Sequence, residues 1–217
     1  MNKIVKLEDL KSIFKDGMTI MIGGFLDCGT PETMIDMLVD LNIKDLTIIG
    51  NDTGFPDRGI GKLIVNGQVK KVIASHIGTN PETGRRMNTG EMEVELSPQG
   101  TLIERIRAAG SGLGGVLTPT GIGTIVENGK RKVTINDKKY LLELPLDADV
   151  SLVKGSIVDE VGNTCYKATT KNFNPYIAMA AKIVIMEAEE LVRCEQLRTE
   201  DIMTPGVLVN YIVKEAV

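Results

Sequence analysis

Asp16-Gly17-Met18-Thr19-Ile20-Met21-Ile22-Gly23-Gly24-Phe25-Leu26-Asp27-Cys28-Gly29-Thr30-Pro31 sets the frame for the whole chain. Thr19 to Ile22 are β-branched or apolar and read as a buried strand, which runs into a Gly-Gly turn and then into Thr30-Pro31-Glu32, a helix start with Pro31 at the first helical position. Strand, glycine turn and helix together form a ligand cradle. Glycines let backbone N–H groups approach a ligand closely, and free donors at a helix N-terminus favour a phosphate or a developing oxyanion. A plain packing turn is the alternative explanation of the same glycines.

The pattern repeats outward from this stretch. Leu7, Leu10, Ile13 and Phe14 predict an amphipathic helix closed by Gly17, and Met34, Ile35, Leu38 and Leu41 predict the apolar face of a second helix starting at Pro31. Leu46 to Ile49 and Val72 to Ala74 are short apolar strands, each opening at its C-terminal end into a polar loop. Strands alternating with helices give an α/β fold, a mostly parallel sheet with helices on both faces. Ligands in such sheets gather beyond the carboxyl ends of the strands. The loops Gly23 to Gly29, Gly50 to Gly54, Ser75 to Asn80 and Pro98 to Gly100 all have that address.

Glu91 to Leu96 alternates polar and apolar residues, as a half-buried strand at a solvated edge does. Thr101 to Glu104 then reads as a capping box opening a helix from Leu102 to Ala109, with Gln99 held just ahead of it. Gly110 to Gly115 lacks the strand before it and the Gly-Lys-Ser/Thr after it that a phosphate loop needs, so it reads as a flexible connection. From about 124 to 145 the texture changes to short strands, Ile125-Val126, Lys132 to Ile135 and Tyr140 to Leu144, joined by turns at 127–130 and 136–137. This is a small antiparallel β excursion inside a single domain spanning 1–217. Val150 to Val158 and Ile183 to Met186 resume core strands, Asn174-Pro175 starts another helix, and the apolar tail Thr204 to Val209 is expected to pack on a neighbour or on its own sheet. No internal repeat or low-complexity linker is apparent.

With 217 residues and 42% hydrophobic content, the chain can bury a full α/β core. A net charge of −4 offers no basic surplus for nucleic acid or an anionic membrane, and Lys70-Lys71 and Arg85-Arg86 read as solvated surface. Met1-Asn2-Lys3-Ile4 leads straight into a charged pattern without an apolar run, so a cytoplasmic protein without membrane attachment is expected. The three cysteines, Cys28, Cys165 and Cys194, are widely spaced, and with the one histidine, His76, they make neither a disulfide framework nor a metal site. His76 is expected to be structural rather than a general base.

The string Asp-Gly, an apolar strand, Gly-Gly-Phe, three residues, Gly, one residue and Pro resembles the first signature of the family I coenzyme A transferases, and the resemblance runs the length of the chain. It is closest to the alpha subunits of the two-subunit enzymes of that family, which exchange CoA between acetoacetate and acetate or butyrate. The resemblance implies that Gly23, Gly24, Phe25, Leu26, Asp27, Cys28 and Gly29 form a loop contacting the CoA thioester. It places Asn51 in an asparagine-rich active-site loop, with Asp52 where some relatives have a second asparagine, and makes Gln99 of Ser97-Pro98-Gln99-Gly100-Thr101 an active-site glutamine. Ser75 and Asn80 are further binding candidates. The family's nucleophile is a glutamate in a Ser-Glu-Asn-Gly type motif of the beta subunit. That tetrapeptide does not occur in this sequence, and Glu32, Glu82 and Glu91, although near the candidate loops, match no catalytic position.

The chain is therefore expected to be half of an enzyme, active only with a beta subunit in an α2β2 assembly. It would use a short-chain acyl-CoA and a carboxylate as substrates, with no permanently bound cofactor and no metal. Two alternatives stay open: a sugar-phosphate isomerase or deaminase of related fold, and a non-catalytic acyl-CoA-binding subunit.

Overall fold

A computed structural model of the chain describes residues 3–216, so Met1, Asn2 and Val217 of the spans read above lie outside the described residues. Leu7–Ile13 winds as a 3-10 helix rather than the expected α-helix. The i, i+3 spacing of Leu7, Leu10 and Ile13 suits three residues per turn, and Leu10 enters the core.

Strands β1 (Thr19–Ile22), β2 (Leu46–Ile49), β3 (Val69–Ala74) and β4 (Glu93–Leu96) lie side by side in chain order, all parallel. Helices α1 (Glu32–Leu41), α2 (Ile60–Val65) and α3 (Pro81–Thr89) carry the chain back between them. Pro31 stands at the N-cap position just outside α1, without a side-chain capping bond, instead of occupying its first turn. Helix α4 (Gln99–Gly110) starts three residues before the expected Leu102, because the Leu102 amide already closes an i→i−4 bond onto Pro98 O at 2.8 Å. Gln99 is therefore its first residue, and Thr101 lies inside it instead of capping it.

The excursion is a three-stranded antiparallel sheet of β5 (Val116–Thr118), β6 (Lys132–Ile135) and β7 (Lys138–Glu143) in the order β5-β7-β6. Ile125–Glu127 is a 3-10 turn, not a strand, because the Thr124 hydroxyl accepts from Val126 N. The third strand comes instead from residues 116–118, just after the glycine-rich connection. Asn136 and Asp137 both have positive φ, as a tight hairpin turn requires.

The chain then returns to the other side of β1. β8 (Ala148–Asp159) pairs with β1, β9 (Thr164–Cys165) folds back antiparallel on β8, α5 (Asn174–Ile177) follows, and β10 (Ala181–Val192) and β11 (Tyr211–Lys214) complete the sheet. The main order is β11-β10-β8-β1-β2-β3-β4, and in the tail ahead of β11 Thr204 bridges Thr164 and Val209 enters the core while Val207 stays exposed. Alternate side chains divide between two cores. Ile20, Ile22, Ile48, Val72 and Leu152 meet α1 and α2 on one face, and Met21, Ile49, Ile73 and Val153 meet α4 and α5 on the other. Both faces are thus covered, which is what near-continuous apolar strands require. The direction of winding reverses between β1 and β8, and the crevice past their carboxyl ends is the usual ligand address of such a sheet.

Candidate active site

Three neighbouring strand ends build a polar cluster. Past β2, Asn51 O accepts from Ser75 N at 2.9 Å, and past β3, Ala74 O accepts from Ser97 N at 3.0 Å, so the parallel ladder runs one step beyond the strands. This extension brings Asn51, Ser75 and Gln99 together. Asn51 Oδ1 accepts from Gln99 Nε2 at 2.8 Å and from Ser75 Oγ at 3.0 Å, and Ser75 Oγ also reaches Asn51 O at 2.7 Å. Asn51 is 2% exposed with its side-chain oxygen doubly occupied, and its Nδ2 is the end of the amide left without a partner among the described residues. Gln99 spends a donor on Asn51 and stands exposed at the first position of α4. The hydroxyls of Ser97 and Thr101 on either side of it are buried without partners among the described residues.

Asn80 stands apart from this cluster. Its Oδ1 caps α3 through Glu82 N at 3.1 Å, and its Nδ2 donates to Thr53 O at 3.2 Å, so the expected binding residue is an N-cap with both ends of its amide occupied. His76 is exposed, with its ring against Gly78.

The Gly-Gly pair of the glycine loop offers no free amide. Gly23 N bonds Leu152 O at 2.9 Å and Gly24 N bonds Asn172 Oδ1 at 3.2 Å, so neither amide of the pair is free. The α1 N-terminus is also occupied. Glu187 of β10, fully buried, accepts from Met34 N at 3.0 Å and from Thr33 N, and burial pushes its carboxyl up to about 7. An own-chain carboxylate sits where an incoming anion was expected. What the loop presents is a tight turn, with Phe25 and Cys28 bridged and the exposed Leu26 and half-buried Asp27 both at positive φ. The amides of Asp27 and Gly29 have no partner among the described residues.

The turn has a twin. Gly24-Phe25-Leu26-Asp27-Cys28-Gly29 and Gly54-Phe55-Pro56-Asp57-Arg58-Gly59 share the pattern Gly-Phe-x-Asp-x-Gly, and Phe55 and Arg58 are bridged as Phe25 and Cys28 are. The two turns follow adjacent parallel strands and are fastened together. Arg58 Nε lies 3.6 Å from Asp27 Oδ2 with its guanidinium over the Phe55 ring, and Leu26 N donates to Asp52 Oδ2 at 3.0 Å. Asp52 also accepts from Gly54 N at 2.8 Å, which gives it a structural task beside Asn51.

Most carboxylates near these loops are engaged, although Asp27 Oδ1 and Glu187 Oε1 are buried without a hydrogen-bond partner among the described residues. Glu32 accepts from Gly59 N at 2.7 Å and pairs with Lys62, and Glu82 and Glu91 are held by Arg85, which keeps both well below the usual carboxylate range at about 2. Burial raises Asp27 despite the nearby Arg58. Lys71 is paired with Glu93, and Arg86 with Glu82.

Residues 5–215 match the family profile described as coenzyme A transferase. The chain belongs to that family. It is 71% identical over 214 residues, 99% of this chain and 98% of the other, to the acetoacetyl-CoA:acetate/butyrate CoA transferase alpha subunit of Clostridium acetobutylicum. It is 54% identical over 97% of its length to the acetate CoA-transferase subunit alpha of Escherichia coli K12, of which it covers 96%. As a coenzyme A transferase chain it thus corresponds end to end with alpha subunits. The fold agrees with solved structures. An acyl-CoA transferase of E. coli O157:H7 in a thioester complex with CoA superposes with a TM-score of 0.86 at 23% identity, over 99% of this chain and 47% of that one. The glutaconate coenzyme A-transferase of Acidaminococcus fermentans gives 0.84 at 20% identity, over 98% of this chain and 75% of that one. Among the described residues no helix is long and apolar enough to cross a membrane.

Proposed function

We propose that this chain is the alpha half of a cytoplasmic CoA transferase that moves CoA between acetoacetyl-CoA, or a similar short acyl-CoA, and a carboxylate such as acetate or butyrate. A beta subunit completes the enzyme as an α2β2 assembly and supplies the glutamate that forms the acyl anhydride and then the glutamyl-CoA thioester. Residues 1–217 act as one domain, and CoA enters as a substrate thioester rather than as a bound cofactor. The relative from C. acetobutylicum, named for this exchange, supports the choice of substrates.

The observation that carries the reading is the contrast between donors and acids. Asn51 is turned by Gln99 and Ser75 to offer its Nδ2, whereas Asp52, Glu32, Glu82, Glu91 and Glu187 are occupied by their own chain. Asn51 stabilises the oxyanion of each tetrahedral intermediate, Gln99 and Ser75 hold it in place, and the turn from Phe25 to Gly29 lines the thioester side of the cleft. The attacking acid comes from outside. The test is an assay of the chain alone and mixed with its beta partner. Exchange only on mixing supports the reading, and isomerase activity of the chain alone would defeat it.

A further inference from the structure

The crevice between the ends of β1 and β8, the usual ligand address of this sheet, is filled by the chain itself. The segment 168–174, which follows β9 and ends on the first residue of α5, crosses it and bonds the glycine loop at Gly24, Cys28 and Gly29. Asn172 Oδ1 accepts from Gly24 N at 3.2 Å and from Phe173 N at 2.6 Å, while its Nδ2 donates to Cys28 O and Thr169 O, both at 2.9 Å. Asn174, fully buried, donates through Nδ2 to Gly29 O at 2.9 Å and Thr170 O at 2.8 Å and accepts from Lys154 N at 3.1 Å. Cys28 Sγ meets Thr169 Oγ1 at 2.9 Å.

The glycines fit this clasp closely. A Cβ at Gly23 would lie 1.8 Å from Asn174 Oδ1, and one at Gly29 would lie 2.8 Å from Thr170 O and 2.9 Å from Asn172 Nδ2. Both glycines are explained by the approach of their own chain. The loop has no apolar anchor of its own at the tip, where Phe25 and Leu26 are 41% and 40% exposed. Its path is set by these amides on one side and by Asp52 and Arg58 on the other.

We propose that Asn172 and Asn174 are positioning residues for the reaction. They touch no reacting atom. They bond the backbone on both sides of the turn, at Gly24, Cys28 and Gly29, and so fix where Phe25 to Gly29 stand relative to Asn51. A loop held only by its ends would drift by the ångström or so that costs transfer reactions rate while leaving ground-state binding intact. The catalytic half of the proposal rests on the CoA-transfer reading above, and its structural half does not.

The test uses the chain together with its beta partner and the variants Asn172→Ala and Asn172→Asp. Asn172→Asp keeps the acceptor for Gly24 but turns an oxygen toward the carbonyls of Cys28 and Thr169. Both variants are expected to lower kcat by about 10- to 100-fold with KM for acetoacetyl-CoA within about threefold of the parent. Hydrogen exchange of the same chains should quicken across residues 24–29 and stay unchanged in β8 and α5. Asn172 is half-buried, so the alanine variant is expected to fold, and Thr169→Val, which removes only the Cys28 contact, gives a milder variant with the same local exchange signature. Unchanged kcat with unchanged exchange would overturn the proposal, as would exchange that quickens evenly over the whole chain. If the parent itself moves no CoA, the functional reading fails, while the exchange measurement still decides the clasp.

Discussion

Gln99 donates its side-chain N–H to Asn51 Oδ1 at 2.8 Å, and that bond decides which end of the Asn51 amide faces out. Asn51→Ala, in the chain assembled with its partner, should lose about 100-fold in kcat, the usual loss for one oxyanion donor. Gln99→Ala should cost about tenfold, the rate equivalent of one orienting hydrogen bond. Gln99→Glu should cost more than the alanine change, because its carboxylate would oppose Asn51 Oδ1 and turn the amide round. Steady-state exchange measures the order. Equal losses in all three would mean that Gln99 itself is the donor.

Gly23 and Asn174 should behave as one unit. Gly23→Ala forces a methyl against Asn174 Oδ1 and is expected to destabilise the chain by about 1–3 kcal/mol. Asn174→Ala should cost a similar amount by stranding the carbonyls it serves. The double variant should lose less than the sum, with a coupling of about 1 kcal/mol or more in urea unfolding. Additive losses would show that the contact is not what demands glycine at 23.

Much of the architecture was legible in the sequence, because apolar runs such as Leu46 to Ile49 and punctuation such as Asn174-Pro175 are local signals. The meeting of Asn51, Ser75 and Gln99 followed from placing each at a strand end in one parallel sheet. The partners that occupy the Gly23 and Gly24 amides were hidden for a physical reason. A glycine demanded by a close ligand and one demanded by a close side chain look alike in sequence, and the side chains responsible, Asn172 and Asn174, arrive nearly 150 residues later. The cap on α1 was hidden in the same way, since Glu187 belongs to a distant strand and reads as part of an alternating polar pattern. The repeated Gly-Phe-x-Asp-x-Gly was readable without a structure, yet six residues in two loops fall below the length at which a repeat is ordinarily sought.

Burial of Glu187 predicts an unusual pH dependence. Its carboxyl titrates near about 7 in the folded chain, above the ordinary glutamate value of about 4.3. Between those values the unfolded chain binds fewer protons at this site than the folded one, so stability falls as pH rises through the window. Lys154, 4.0 Å away and itself bonded to Glu215, limits the effect. Glu187→Gln, which keeps an acceptor for Met34 N, should therefore gain stability relative to the parent as pH rises from 5 to 8. Denaturation midpoints across that range check it, and a difference that stays flat or reverses would contradict it.

The antiparallel excursion is fastened by charge. Glu143, 2% exposed, takes Lys130 at 2.6 Å and lies 3.9 Å from Arg105, which also holds Glu95 at 2.7 Å and Leu144 O at 2.9 Å. Glu143→Ala should cost about 3 kcal/mol, the low end for breaking a buried ion pair, because Glu95 still serves Arg105. Limited proteolysis should then cut first near residues 129–131. A variant as stable and as resistant as the parent would show that the network contributes nothing.

The central claim is that this chain shapes the cleft and its companion attacks. Incubation of the assembled subunits with acetoacetyl-CoA, followed by intact-mass measurement of each chain, tests it directly. The account predicts the mass of a covalently bound CoA on a glutamate of the beta subunit and none on this chain. A CoA adduct on any glutamate of this chain would contradict it.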